Sequence, residues 1–120
     1  MGLDQNLTLQ RQDDTLAEFD WRKANAVHRW FVENVQGGED DCGTYDVPVT
    51  KLRELRDILE RVVDCRELGP ELLPTQSGFF FGSTEYDDWY VHKAYMVLQA
   101  VIVVLYDFRD GDRITYGSCW

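Results

Sequence analysis

A thiol nucleophile with an imidazole base is the first chemistry to look for, because the chain carries two histidines, His28 and His92, and three cysteines, Cys42, Cys65 and Cys119. No local signature of a cysteine hydrolase surrounds Cys42. His28 lies on an apolar helix face and His92 near the start of a helix; a lone histidine there is more often a hydrogen-bonded core residue than a base, and that is the reading for both. Glu39, Asp40 and Asp41 form a carboxylate run in a glycine-flanked loop, but the alternating ligands of a calcium loop are missing, which leaves a solvated acidic loop. There is no GxxxxGK, GxGxxG, HExxH or GxSxG, and no zinc-spaced set of Cys and His. The expectation is a non-catalytic protein without cofactor or metal.

The stretch from Leu72 to Tyr90, LLPTQSGFFFGSTEYDDWY, is the other candidate. Gly78 and Gly82 bracket three phenylalanines. In an extended backbone Phe79 and Phe81 share one side and Phe80 takes the other, so either the whole triplet plugs two small cores, as aromatics most often do, or Phe79 and Phe81 are the plugs and Phe80 is a contact. Around Phe80, the residues Thr84, Glu85, Tyr86, Asp87, Asp88, Trp89 and Tyr90 offer aromatic and polar groups to a partner or a planar ligand. Glu39, Asp40 and Asp41 are a second candidate contact surface.

The elements that must position these groups follow from periodicity. Leu3, Gln5, Leu7 and Leu9 alternate with Asp4, Asn6 and Thr8, which predicts a strand over 3–10. From about Asp20, Trp21, Ala24, His28, Phe31 and Val35 recur at helical spacing, and Gly37–Gly38 supply the stop. Thr50 is the expected N-cap of a second helix with Leu52, Leu55, Leu59 and Val62 as its apolar stripe. A third helix is expected to open after Ser83 or Thr84 and to run to Tyr106, apolar enough to be covered on several sides. Ile114, Tyr116 and Ser118 then alternate as a last strand that pairs with the first. The result is a single α+β domain over 1–120, with three helices packed on a small antiparallel sheet of the N- and C-terminal strands.

A chain of 120 residues buries enough surface to fold without a metal or disulfide. Widely spaced cysteines in odd number point to free thiols in a reducing compartment. The start, MGLDQNLTLQ, shows no targeting pattern, and the apolar run from Tyr95 to Tyr106 is short for a membrane span. The net charge of −10 is carried by the ends: residues 1–20 have one base against five acids, and residues 67–120 three against eight. That field repels phosphate and disfavours nucleic acid as a direct ligand, while it suits a basic protein surface.

The blocks MGLD, WRKAN followed by His28 and Trp30–Phe31, GEDDC, and LLPTQSGFFFGSTEYDDWY together resemble a family of small proteins encoded by bacteriophages and prophages. The resemblance covers most of the chain in scattered blocks and carries no catalytic residues over. It implies a bacterial host cytoplasm and the role of an accessory protein. Helix three is more apolar than is usual in such proteins, which raises a second copy of the chain, a homodimer, as its cover. The leading expectation is a non-catalytic inhibitor of a host protein with a basic surface, of anti-CRISPR or anti-restriction type. The alternative is a small-ligand protein that holds a nucleotide or signal molecule on the aromatic loop 75–90.

Overall fold

The computed structural model describes residues 2–78 and 81–120, so the expected roles of Phe79 and Phe80 lie outside the described residues. The chain opens with an antiparallel hairpin of β1 (Asp4–Arg11) and β2 (Asp14–Arg22). The expected helix from Asp20 is therefore corrected: Asp20 to Arg22 end a strand. Ala17, Phe19 and Trp21 alternate toward the core while Asp14, Leu16, Glu18 and Asp20 face solvent, and this period of two overrides the chance helical spacing of Trp21 and Ala24.

Helix α1 (Asn25–Asn34) follows, and its end is marked by the amide of Gly38 donating to the carbonyl of Val32, with Gly37 and Gly38 both at positive φ. A short strand β3 (Thr44–Asp46) leads into α2 (Val49–Asp64), which begins one residue before the expected cap Thr50. Leu52, Leu55, Leu59 and Val62 are fully buried, as their spacing predicts. A 3-10 turn (Arg66–Leu68) and a single-turn helix α3 (Gly69–Leu72) precede the aromatic loop. Helix α4 (Asp88–Asp107) starts later than the serine and threonine suggested, because the Asp87 carboxylate accepts from the Tyr90 amide at 3.1 Å and caps it. Ser83 instead caps a tight turn, accepting from the Glu85 amide at 3.0 Å. The chain ends in β4 (Arg113–Cys119).

The fold is α+β. Among the described residues the four strands form an antiparallel sheet in the order β2-β1-β4-β3, and the expected pairing of first and last strands is its centre. Helix α4 packs on α2 and on the inner face of β1 and β2. One core joins Leu7 and Leu9, Ile114 and Tyr116, the α2 stripe and Val97, Val101 and Val104 of α4. By length and composition α4 could also cross a membrane; here its inner side is held in that core. Its outer side is open, contrary to cover on several sides: Trp89, Tyr95, Met96, Ile102, Val103 and Tyr106 are exposed.

Candidate functional site

The site is built where β2 hands the chain to α1. Lys23 turns the backbone with φ 57 and donates its amide to the Leu3 carbonyl at 2.8 Å. A left-handed lysine is a strained conformation, of the kind that persists where surroundings over-determine it. Ala24 is pinned by the buried Gln5 amide, which accepts from Ala24 N–H at 3.0 Å and donates to its carbonyl at 3.2 Å. The first turn of α1 has no side-chain cap.

Asn25 organises the loop opposite. It is buried, its Nδ2 donates to the carbonyls of Phe81 (3.0 Å) and Ser83 (2.8 Å), and its Oδ1 accepts from the Gln76 amide (2.9 Å). One side chain thus ties both limbs of the loop to α1. Tyr86 closes the loop base, its hydroxyl accepting from the Thr75 amide at 3.0 Å, while Thr75 Oγ1 donates to the Thr84 carbonyl at 3.0 Å. Tyr90 donates to the Leu73 carbonyl at 2.6 Å and meets the Tyr86 ring edge to face at 4.9 Å. Burial pushes the Tyr90 phenol up from its ordinary pKa, so it stays a neutral donor. Phe81 is buried, as expected, and a β-carbon on Gly78 would lie 2.8 Å from its ring; Gly82, at φ 87, turns the chain out again.

These ties leave a cavity of about 300 Å³ between the start of α1, the loop and the first turns of α4. Ala24, Ala26, Val27, Leu73, Tyr90 and Ala94 give it apolar walls. Its rim carries Lys23 and Lys93, Glu85 and Asp87, and the indole of Trp89, which is 67% exposed. Such a hollow can hold a flat apolar body and offers both signs of charge to polar substituents.

A second cluster lies deeper. His28 and Tyr116 are fully buried, with His28 Nδ1 2.7 Å from the Tyr116 hydroxyl and Nε2 2.9 Å from Asp40 Oδ1. Gln5 Nε2 donates to the Tyr116 oxygen at 3.0 Å, which directs the phenol proton to His28 Nδ1 and leaves Nε2–H to donate to Asp40. Trp120 Nε1 donates to the same Asp40 oxygen at 2.9 Å, and Phe31 stacks on Tyr116 at 3.8 Å. Burial raises the Tyr116 pKa. With both ring nitrogens engaged, His28 has none left for Cys42, whose thiol sits against the Trp120 backbone. The cluster fastens the C-terminus and the acidic loop to α1.

The sequence candidates separate accordingly. Glu85, Asp87, Trp89 and Tyr90 come together around the cavity; Tyr86 braces it from behind, and Thr84 contributes its carbonyl. Asp88 points away to Arg66 at 3.0 Å. Phe80 lies outside the described residues. Asp40 is turned inward, whereas Glu39 and Asp41 are exposed, Asp41 accepting from the Tyr45 hydroxyl at 2.7 Å and holding that phenol up at about 12. His92 is exposed beside Trp89, which corrects its expected place in the core. No group of three His, Cys, Asp or Glu gathers as a metal ion would require among the described residues. Lys23, Asn25 and Lys93 escaped the sequence reading, although two of them stand in the quoted block WRKAN. Comparison with protein-family models, with curated proteins and with solved structures finds no match to this chain.

Proposed function

We propose that the protein is a non-catalytic binding protein whose cavity between α1, loop 75–90 and α4 holds a small planar ligand of nucleotide or nucleobase type. The observation that carries this reading is the cavity itself, with apolar walls and a rim where Trp89 stands 67% exposed beside Lys23 and Lys93. An exposed indole next to an apolar hollow supplies a stacking face, and the lysines supply charge for an anionic substituent. Thermal unfolding with a panel of nucleotides tests it: a ligand at a hundred times its dissociation constant adds about 2.7 kcal/mol of stability. Trp89→Ala, at an exposed position, should remove the shift while leaving the unliganded melting temperature within a degree or two. A shift that survives this change would place the ligand elsewhere, and no shift with any nucleotide would remove the ligand class.

A second reading, host-protein inhibition by a phage accessory protein in a bacterial cytoplasm, is favoured by the outer strand. β2 stands at the sheet edge, and Asp14, Glu18 and Asp20 on its solvent side give that edge a negative face suited to a basic protein. Binding of this kind weakens steeply as salt rises to physiological strength. A partner whose affinity ignores salt would contradict it.

A further inference from the structure

The outer face of α4 is a stripe of His92, Tyr95, Met96, Gln99, Ile102, Val103 and Tyr106, all exposed and all within one side of the helix. Between Lys93 and Asp107 the helix carries no acid, lysine or arginine, although the chain as a whole is at −10. We propose that this stripe is the interface of a homodimer in which α4 of two copies packs antiparallel about a two-fold axis through Gln99.

The residue positions favour a second copy over another occupant. In an antiparallel pair centred on Gln99, Tyr95 meets Ile102 of the second copy, Met96 meets Val103, and His92 meets Tyr106, so each bulky group faces a smaller or complementary one. Lys93 at one end of the stripe comes to the side of Asp107 of the second copy, and the two-fold repeats that pair at the other end. Gln99 is self-complementary, because its amide both donates and accepts, and it fixes the register as a single polar residue does in a helical seam. The helix dipoles run in opposite senses. The stripe from 92 to 106 is about 21 Å long, and Tyr106 at its end is 88% exposed, apolar surface that a stable interface would cover.

Sedimentation equilibrium of the full chain at micromolar concentration, in low and in physiological salt, reads the state directly. The expected result is a particle of twice 14.0 kDa, with association strengthened by salt, since screening relieves the mutual repulsion of two acidic chains. Gln99→Glu puts like charges face to face at the axis and should weaken association about a hundredfold; Gln99→Lys should do the same. Mixing the two variants should restore a dimer, a result that only a two-fold at Gln99 predicts. A monomeric wild type, a dimer indifferent to both substitutions, or variants that fail to rescue each other would overturn the proposal. So would co-flotation of the wild type, but not of Ile102→Asp, with phosphatidylcholine vesicles, which would assign the stripe to a membrane surface.

Discussion

Asn25 and Tyr116 carry more of the architecture than their side-chain sizes suggest, because each joins segments far apart in the chain. Asn25→Ala leaves the Gln76 amide and two carbonyls without their partner, and should cost about 1–3 kcal/mol in urea unfolding. It should also loosen the loop enough to speed amide exchange at Ser83 and Glu85; unchanged exchange there would show that the loop holds without it. Tyr116→Phe leaves His28 Nδ1 and one of the two Gln5 Nε2 hydrogens without a partner and should cost a similar amount. At the opposite end of β1, Arg11 grips Asp112 through Nε (2.9 Å) and Nη2 (2.7 Å), and Asp112 is nearly buried. That bond holds the Asp112 carboxyl below its ordinary 3.8. The folded value is the depressed one, so the contribution is present above 3.8 and is lost as pH falls through the folded value. The stability gap between wild type and Asp112→Asn should therefore close on acidification below 3.8, and a gap constant with pH would exclude the ion pair as its source. At this scale the sequence revealed His28 as a core histidine, since its place on an apolar face was legible. It did not reveal the inward turn of Asp40, which exists only because His28 and Trp120, far from each other in sequence, both need an acceptor.

Elements were legible where one period dominates and obscure where two compete. The stripe of α2 repeats cleanly, and its N-cap was placed two residues late, at Thr50 where Pro48 stands. Residues 14–28 fit a strand through Ala17, Phe19 and Trp21 and a helix through Trp21, Ala24 and His28; the hairpin at Gln12 and Asp13 decides, by giving β2 a partner in β1. The start of α4 was misplaced because Ser83, Thr84 and Asp87 are all competent caps. Only Asp87 sits three residues before an amide that the buried Tyr90 fixes in place. Asp87→Ala should accordingly cost about 0.5–2 kcal/mol, and Ser83→Ala much less; the reverse order would move the functional cap back to Ser83. Phe81 packs edge to face against His28 at 5.5 Å and Trp120 at 6.0 Å. Phe81→Ala should cost about 3–5 kcal/mol, measured by chemical unfolding, as for other deleted core rings.

On the scale of the molecule, charge and apolar surface are segregated. Acids line the outer strand β2 and the loops, while the longest helix shows solvent a stripe without ionised groups. Composition gave the acidity and periodicity the α+β class, but neither could show which side of α4 stays uncovered, since an apolar helix of this length reads the same whether buried all round or on one side. The cavity was half legible: its aromatic wall came from the loop, and its floor from α1 could be found only once the fold brought Ala24, Ala26 and Val27 opposite Trp89. Backbone NMR during titration with the nucleotide that gives the largest thermal shift tests that hollow most directly. Ligand in the cavity predicts saturable changes at the amides of Lys23, Ala26, Ser83, Trp89 and Lys93, with β2 and the outer stripe of α4 unmoved. Saturable changes confined to β2 or to Tyr95–Tyr106, with those five amides still, would contradict a ligand site between α1, the loop and α4.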